Sequence, residues 1–306
     1  MISAVVDLGT NTFHLLIFEG EKILYRESLA ARMGMGGINQ GEITPEGIER
    51  SLKVLRIFRE QLNAFQVQEV FAFGTSALRS AKNREEVLSR IREETQIDVK
   101  VIDGAEEASL IYEGVKQAVP VTEPSMIVDI GGGSVEFIIC NPEKVLWMRS
   151  FEIGGQRLLE RFKKKDPIAP SEVSKMEQYL REELLPLTNA VHQYQPVVMV
   201  GSSGSFDTLN DMYYCKTTGD FPPENIAGFD YPPEEFGKAY EQLVFSTREE
   251  RMNIHGMKEL RVDMIVVAMV LIKFLLQTFG IKKIKISNYA LKEGAMGRVL
   301  YYTKGE

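Results

Sequence analysis

Two segments of this chain repeat one pattern of an acid, a glycine and a hydroxyl. Asp7-Leu8-Gly9-Thr10-Asn11-Thr12 aligns with Asp129-Ile130-Gly131-Gly132-Gly133-Ser134. Each segment follows β-forming residues and precedes a second apolar run, which is typical of a β-hairpin with a tight polar turn. The repeat therefore predicts two α/β parts that each contain such a hairpin. Two hairpins that face each other would form a clamp.

The predicted elements alternate in the way that mixed α/β domains do. Three strands open the chain, and a helix then begins at Thr44-Pro45, where the threonine caps and the proline fits the first turn. Strands and helices alternate after it. Asn83 and Glu86 are predicted to form a capping box at the start of one of these helices.

A proline-punctuated segment at 120–124 separates the two parts. We place the boundary there, which gives domains 1–123 and 124–306, in keeping with roughly two domains for a chain of 306 residues. In the second domain, residues 216–232 are predicted to be a polar surface loop. The last helix, about 290–302, is predicted to pack back onto the first domain.

Charge and composition exclude several classes of ligand and location. With 43 acidic and 36 basic residues the net charge is −7, which disfavours nucleic acid polymers and anionic membranes as partners. The cysteines Cys140 and Cys215 and three scattered histidines show no zinc-ligand spacing, and we expect a reducing cytoplasm. The N-terminal sequence does not resemble a signal peptide, and the apolar stretch 264–276 is too short to span a bilayer.

The repeated turns are candidates for phosphate binding. Gly131-Gly132-Gly133-Ser134 lets backbone N–H groups approach an anion closely, and Thr10-Asn11-Thr12 occupies the matching place in the first hairpin. A single turn of this kind is more often a plain hairpin, but its duplication favours phosphate. Gly201-Ser202-Ser203-Gly204-Ser205, between a strand and a helix, is a weaker candidate for a second anion seat.

Three acids near these turns are candidate metal ligands. Asp7 and Asp129 end the first strand of each hairpin, where a carboxylate would repel phosphate unless a hard cation such as Mg²⁺ lay between them. The alternative is that each aspartate only stabilises its turn. Glu136 shares a strand face with Ser134 and is predicted to act in catalysis and metal binding, unless the position is simply solvated. His14, its counterpart, is assigned to packing or turn support.

A candidate base and a candidate phosphate-binding arginine lie in the first part. Glu107 stands at the start of a helix in Gly104-Ala105-Glu106-Glu107-Ala108, where it could deprotonate a water that attacks phosphorus. Acids in a first helical turn also simply complement the helix dipole. Arg79 ends Gly74-Thr75-Ser76-Ala77-Leu78-Arg79 and could bind phosphate oxygens and neutralise their charge.

These motifs, in this order along nearly the whole chain, resemble those of the exopolyphosphatase / guanosine pentaphosphate phosphohydrolase family of the actin, Hsp70 and sugar-kinase superfamily. The resemblance implies an α/β fold of two ribonuclease-H-like (actin-like ATPase) domains, with mixed sheets flanked by helices and the active site in the interdomain cleft. It also implies that Glu107 is the base, that Asp129 and Glu136 are the other essential acids, and that Arg79 binds phosphate.

The chain departs from this family in one late motif. The family has a segment like Asp-Gly-Ala-Leu-Arg-Glu-Gly, whereas this chain has Asn288-Tyr289-Ala290-Leu291-Lys292-Glu293-Gly294. The chain also resembles the short form of the family, which lacks a C-terminal helical domain.

The predicted function is therefore a phosphoanhydride hydrolase that depends on Mg²⁺ or another divalent cation. It would release terminal orthophosphate from inorganic polyphosphate, guanosine pentaphosphate or both. Two alternatives stay open: an ATP-dependent small-molecule kinase of the same superfamily, and a non-catalytic sensor of nucleotide or polyphosphate. The sequence leaves open whether the chain forms a homodimer.

Overall fold

The chain forms two mixed β-sheets flanked by helices, seen in a computed structural model that describes residues 1–223 and 226–303. The first sheet has the strand order β3-β2-β1-β4-β5, and its strands are β1 (Ile2–Leu8), β2 (Thr12–Glu19), β3 (Lys22–Ala30), β4 (Glu69–Gly74) and β5 (Val99–Val101). The second has the order β10-β11-β9-β6-β7-β8, and its strands are β6 (Ser125–Ile130), β7 (Val135–Cys140), β8 (Val145–Phe151), β9 (Val198–Ser202), β10 (Gly228–Tyr231) and β11 (Lys283–Ser287).

Helices surround both sheets and connect their parallel strands. Those of the first part are α1 (Pro45–Ala64), α2 (Ser76–Ser80), α3 (Arg84–Thr95) and α4 (Gly104–Ala118). Those of the second are α5 (Gly155–Phe162), α6 (Pro170–Glu183), α7 (Leu185–Tyr194), α8 (Gly204–Thr218), α9 (Pro233–Val244), α10 (Arg248–Met252), α11 (Met264–Phe279) and α12 (Leu291–Thr303).

The two sheets repeat the same topology, and the predicted fold of two ribonuclease-H-like halves is confirmed. In each, an antiparallel hairpin and a third strand come first, and parallel strands then add next to the first strand of the hairpin. The register repeats as well, since Asp7 pairs with His14 and Asp129 pairs with Glu136. The duplicated sequence pattern is thus matched by equivalent places in the two sheets.

Helices α4 and α12 pack together between the two sheets. A Cβ atom on Gly114 would lie 2.0 Å from the carbonyl oxygen of Ala290, and one on Gly294 would lie 1.8 Å from that of Leu110. Glycine is therefore required for the two backbones to come this close. The last helix, α12, therefore packs on α4, which belongs to the first 123 residues. The domain boundary itself stays a prediction. Residues 304–306 lie outside the described residues.

Two local predictions were wrong. Asn83 precedes α3, but its side chain makes no capping hydrogen bond; it accepts from the backbone N–H of Ile43 at 3.1 Å and donates to the Ile43 carbonyl at 2.9 Å. A distant backbone segment therefore takes the donor and acceptor that a capping box would use. The predicted loop 216–232 contains the end of α8 and strand β10, and its residues 224–225 lie outside the described residues.

The apolar stretch 264–276 forms most of α11, which packs into the core of the second half. Its side chains are buried by neighbouring helices and by the second sheet. Among residues 1–223 and 226–303, no helix combines the length and apolarity that a bilayer crossing requires.

A buried arginine stabilises the second half near the start of α11. Arg251 is fully buried, and it donates to the Val262 carbonyl at 2.8 Å and to Asp166 Oδ1 at 2.8 Å. Burial alone would raise the pKa of Asp166, but hydrogen bonds from Arg251 and Lys163 outweigh it and lower the pKa to about 2. The ion pair therefore stabilises the fold above the ordinary carboxyl pKa, and this contribution is lost as pH falls toward 2.

We expect Asp166→Asn to lower the free energy of unfolding at neutral pH by about 2 kcal/mol, measured by chemical denaturation. The reason is that Arg251 would stay buried with a weaker partner, and partial exposure of Asp166 keeps the loss below that of a fully buried pair. Asp230→Asn is the control, because Asp230 is exposed and lies 3.6 Å from Lys285. Equal losses in both variants would contradict the assignment.

Candidate active site

The two hairpin turns face each other across the cleft between the sheets. The β1–β2 turn and the β6–β7 turn line one shared cavity. A Cβ atom on Gly133 would lie 2.4 Å from Thr10 Oγ1 and 2.5 Å from Ser76 Oγ, so only glycine permits the observed approach. The clamp expected from the duplicated pattern is therefore present in the structure.

The shared cavity is small and polar. Its volume is about 110 Å³, well below the roughly 300–1,000 Å³ of pockets that enclose drug-sized ligands. It has room for a phosphoryl group and waters but not for a whole nucleoside. The predicted site residues that line it are Asp7, Thr10, Asn11, Thr12, Glu107, Asp129, Gly131, Gly132, Gly133, Ser134, Ser203 and Gly204.

Polar side chains of the first hairpin turn are buried without partners. Among the described residues, Asp7 Oδ1, Thr10 Oγ1, Asn11 Oδ1 and Thr12 Oγ1 have no hydrogen-bond partner. Buried polar atoms in folded proteins are nearly always hydrogen-bonded, so a concentration of unsatisfied atoms at one turn calls for an explanation. All four residues line the cavity, and a polar ligand there would satisfy these atoms.

Two cations that the sequence reasoning missed also line the cavity: Arg261 and Lys292. The Arg261 guanidinium lies against Gly204, where a Cβ atom would be only 2.0 Å from its Cζ. Lys292 pairs with Glu293 at 3.2 Å. Lys292 occupies the position at which the late motif of the family has arginine, so the sequence contained a signal for it. Arg261 lies in an irregular turn before α11, and no sequence pattern marked it.

The acids at the cavity are buried close to one another. Burial raises the pKa of Asp7 to about 8, and the nearby Glu107 carboxylate adds to the effect. Burial also raises the pKa of Glu107 to about 7, although Arg79 opposes this. The pKa of Asp129 is raised by burial too, despite hydrogen bonds from Ser202 and Ser203, each 2.7 Å long. Such a group of acids is stable in its charged form only next to cations.

The acids fit a bound magnesium ion only in part. Throughout residues 1–223 and 226–303, no three His, Cys, Asp or Glu side chains are arranged to hold a metal by themselves. Mg²⁺, however, commonly takes one or two carboxylates and completes its shell with waters and phosphate oxygens. Asp7, with its unpartnered oxygen, and Asp129 on the facing turn fit that donor set.

Glu136 is not placed where the sequence prediction needs it. Its side chain is 1% exposed, does not line the cavity and accepts a hydrogen bond from Ser150 Oγ at 2.6 Å. Burial and repulsion from Glu107 raise its pKa well above the ordinary value. Its position gives no support to direct metal ligation, because its carboxylate bonds to Ser150 and does not line the cavity.

Arg79 contacts the candidate base rather than the cavity. Its Nη1 donates to Glu107 Oε2 at 2.7 Å and its Nη2 donates to Glu152 Oε1 at 3.0 Å. Arg79 also lines a separate surface pocket, together with Ile102 and Asp103. The structure thus brings Arg79 to the site as a partner of Glu107, whereas the sequence prediction had it binding phosphate directly.

The segment 201–205 is only partly a turn. Gly201 and Ser202 are the last residues of β9, and a Cβ atom on Gly201 would lie 2.1 Å from the Phe206 ring. Gly201 is therefore required by core packing, and the fully buried Ser202 holds Asp129. Of the predicted second anion seat, Ser203 and Gly204 reach the cavity.

His14 lines the cavity, and the departing positions Asn288 and Tyr289 of the late motif differ in their relation to it. His14 Nδ1 shares a hydrogen bond of 2.7 Å with Ser28 Oγ, and burial lowers its pKa well below the ordinary value, so the ring is neutral. Asn288 lines the cavity, while Tyr289 faces a different groove, where Arg26 lies 5.6 Å from its ring centre. Tyr289, which stands where the late motif of the family has glycine, therefore does not line the cavity.

Known proteins are similar to this chain in sequence and in fold. The model of the Ppx/GppA phosphatase family matches residues 17–302. The chain is 44% identical to an exopolyphosphatase from Cytophaga hutchinsonii, whose crystal structure matches with a TM-score of 0.95 over 99% of this chain and 98% of that one. A Ppx/GppA family member from Aquifex aeolicus matches at 26% identity, with a TM-score of 0.79 over 99% and 98% of the two chains.

We expect Gly133→Ala to lower the free energy of unfolding by about 1–3 kcal/mol, because the added methyl group would push against Thr10 and Ser76. Chemical denaturation measures this. Gly237→Ala in α9 is the matched control, since a Cβ there meets nothing within 4 Å and alanine favours a helix. No greater loss for Gly133→Ala than for Gly237→Ala would show that the turns are not in tight contact.

Proposed function

The chain belongs to the Ppx/GppA phosphatase family, and from this membership and the site we propose that it hydrolyses phosphoanhydride bonds and releases terminal orthophosphate from inorganic polyphosphate. The relative from Cytophaga hutchinsonii is described as an exopolyphosphatase, and it matches 99% of this chain. The same reaction at the end of guanosine pentaphosphate is included as a second substrate to be tested.

One observation carries this proposal: the unpartnered polar atoms of the first turn face two cations across a cavity sized for one phosphoryl group. A phosphoryl oxygen accepts hydrogen bonds from hydroxyl and backbone donors and attracts Arg261 and Lys292. A cavity of about 110 Å³ admits the end of a chain and leaves the remainder outside. Such a cavity favours removal of the terminal phosphoryl group of the chain.

The two turns and the cations would hold the reacting phosphoryl group. Hydroxyls of Thr10, Thr12 and Ser134, which line the cavity, would donate to its oxygens, and so would the backbone N–H groups of the glycines in the second turn. Arg261 and Lys292 would stabilise charge on those oxygens in the transition state. Catalysis of phosphoryl transfer depends mainly on such positioning and charge compensation.

Glu107 would act as the general base. Its carboxylate lines the cavity, and burial raises its pKa to about 7, a value suited to accepting a proton near neutral pH. A water held by Glu107 would attack the terminal phosphorus and give its proton to the carboxylate. The bond between that phosphorus and the bridging oxygen breaks, and the shortened chain leaves with the bonding electron pair. Arg79 keeps Glu107 oriented through the 2.7 Å ion pair.

Asp7 and Asp129 would hold a Mg²⁺ ion. A bound divalent cation supplies charge neutralisation between these acids and the phosphate oxygens. Ser202 and Ser203 fix Asp129 for this role through two hydrogen bonds of 2.7 Å.

We expect purified protein with Mg²⁺ to release orthophosphate from polyphosphate in a colorimetric assay, and Glu107→Gln to reduce kcat at least about 100-fold, the usual effect of losing a general base. Glu106→Gln is the matched control, because Glu106 is the adjacent acid and pairs with Lys100 at 2.6 Å outside the cavity.

Parallel reactions would separate the remaining functions. Guanosine pentaphosphate and ATP are compared with polyphosphates of several lengths. Conversion of ATP to ADP only when an acceptor alcohol is present, with the phosphoryl group transferred to that alcohol, would indicate a kinase, and calorimetric binding without turnover would indicate a sensor. Full activity of Glu107→Gln would remove Glu107 from the mechanism.

We further expect the protein to bind Mg²⁺ more tightly in the presence of orthophosphate, measured by isothermal titration calorimetry. Asp7→Asn and Asp129→Asn should each weaken binding at least about tenfold, since each removes a charged oxygen ligand. Asp230→Asn is the control, because Asp230 is exposed and does not line the cavity. Unchanged binding in both of the first two variants would contradict this metal site.

A further inference from the structure

Glu152, between β8 and α5, joins the two halves of the molecule at the edge of the site. Its Oε1 accepts from Arg79 Nη2 at 3.0 Å. Its Oε2 accepts from Ser76 Oγ at 2.5 Å and from Arg157 Nη2 at 2.8 Å. Ser76 and Arg79 belong to α2 of the first half, so this carboxylate bridges the cleft.

Arg157 in α5 ties the position of Glu152 to closure of the cleft. Its Nη1 donates to the Ile38 carbonyl at 2.7 Å and its Nη2 donates to Ser80 Oγ at 3.0 Å, both in the first half. Its Nε donates to the Gly133 carbonyl at 2.9 Å, on the second hairpin turn. One guanidinium therefore contacts Glu152, the phosphate-facing turn and the first half, and its bonds to Ile38 and Ser80 exist only when the halves are close.

The contact with Glu152 helps to fix the orientation of Arg79. A guanidinium is a rigid, planar fork, so two carboxylates on its two terminal nitrogens determine the direction in which it points. Glu107 accepts from one nitrogen and Glu152 from the other. Without Glu152, Arg79 would keep a single carboxylate partner and could rotate about that contact.

We propose that Glu152 is a positioning residue that holds Arg79 against the base Glu107 when the cleft is closed. This inference rests on the proposed function. Glu152 does not line the cavity, so it acts on the reaction through Arg79 and not by touching the substrate. Its removal should slow the chemical step and leave substrate binding nearly unchanged.

The first test compares Glu152→Gln with Glu160→Gln. Glu160 in α5 also bridges the cleft, since it accepts from the Gly36 N–H at 2.8 Å and from Asn39 Nδ2 at 3.2 Å, but it does not contact Arg79. For Glu152→Gln we expect kcat to fall about tenfold, the effect of exchanging a charged hydrogen bond for a neutral one, with KM changed less than twofold. Glu160→Gln should leave kcat unchanged. Equal effects of the two variants on kcat and KM would overturn the proposal.

The second test asks whether Glu152 acts through Arg79. Adding Glu152→Gln to the Arg79→Gln variant should not lower the activity further, because Arg79, the residue through which Glu152 acts, is already absent. Additive losses in the double variant would overturn the proposal.

A third measurement does not depend on catalysis. A double-mutant cycle on chemical unfolding should show coupling between positions 79 and 152 and additivity between positions 79 and 160. If the wild type released no phosphate from any substrate, the proposed function would fail while this cycle still decided whether Glu152 holds Arg79. Additivity between 79 and 152 would refute that contact.

Discussion

The close approach of the two hairpin turns is the constraint on which the rest of the structure depends. Glycine at position 133 lets the second turn come against Thr10 and Ser76, and the cavity exists because the turns meet there. The same contact brings Asp7 and Asp129, which end equivalent strands, to one place. The chain thereby concentrates polar atoms of both turns and buried acids around a cavity of about 110 Å³.

That concentration has an electrostatic cost, and the surrounding residues offset it. Burial raises the pKa of both Asp7 and Glu107, and a neighbouring carboxylate adds to it, Glu107 in the case of Asp7 and Asp129 in the case of Glu107. Arg261 and Lys292 at the cavity and Arg79 behind it supply compensating positive charge. The charged form of such a group of buried acids is costly unless positive charge lies beside it.

A feature could be predicted from the sequence when the contacts that fix it are made by residues close to it along the chain. The hairpins, the helix that begins after Thr44 and the acids at strand ends are set by neighbours along the chain, and these predictions are confirmed in position. Asn83 was misassigned because Ile43, forty positions away, takes its hydrogen bonds. Arg261 was missed for the same reason, since its place over Gly204 comes from tertiary folding and no local pattern marks it.

The two halves share a topology, but their differences divide the work between them. Ser28 lies opposite His14 in the first sheet and Ser150 lies opposite Glu136 in the second, and each serine is hydrogen-bonded to its partner. Two residues beyond these serines the pattern breaks, because the first half has Ala30 and the second half has Glu152. A carboxylate that reaches across the cleft is therefore present on one side only. Since Glu107 and Arg79 lie in the other half, Glu152 can reach Arg79 only when the halves are close.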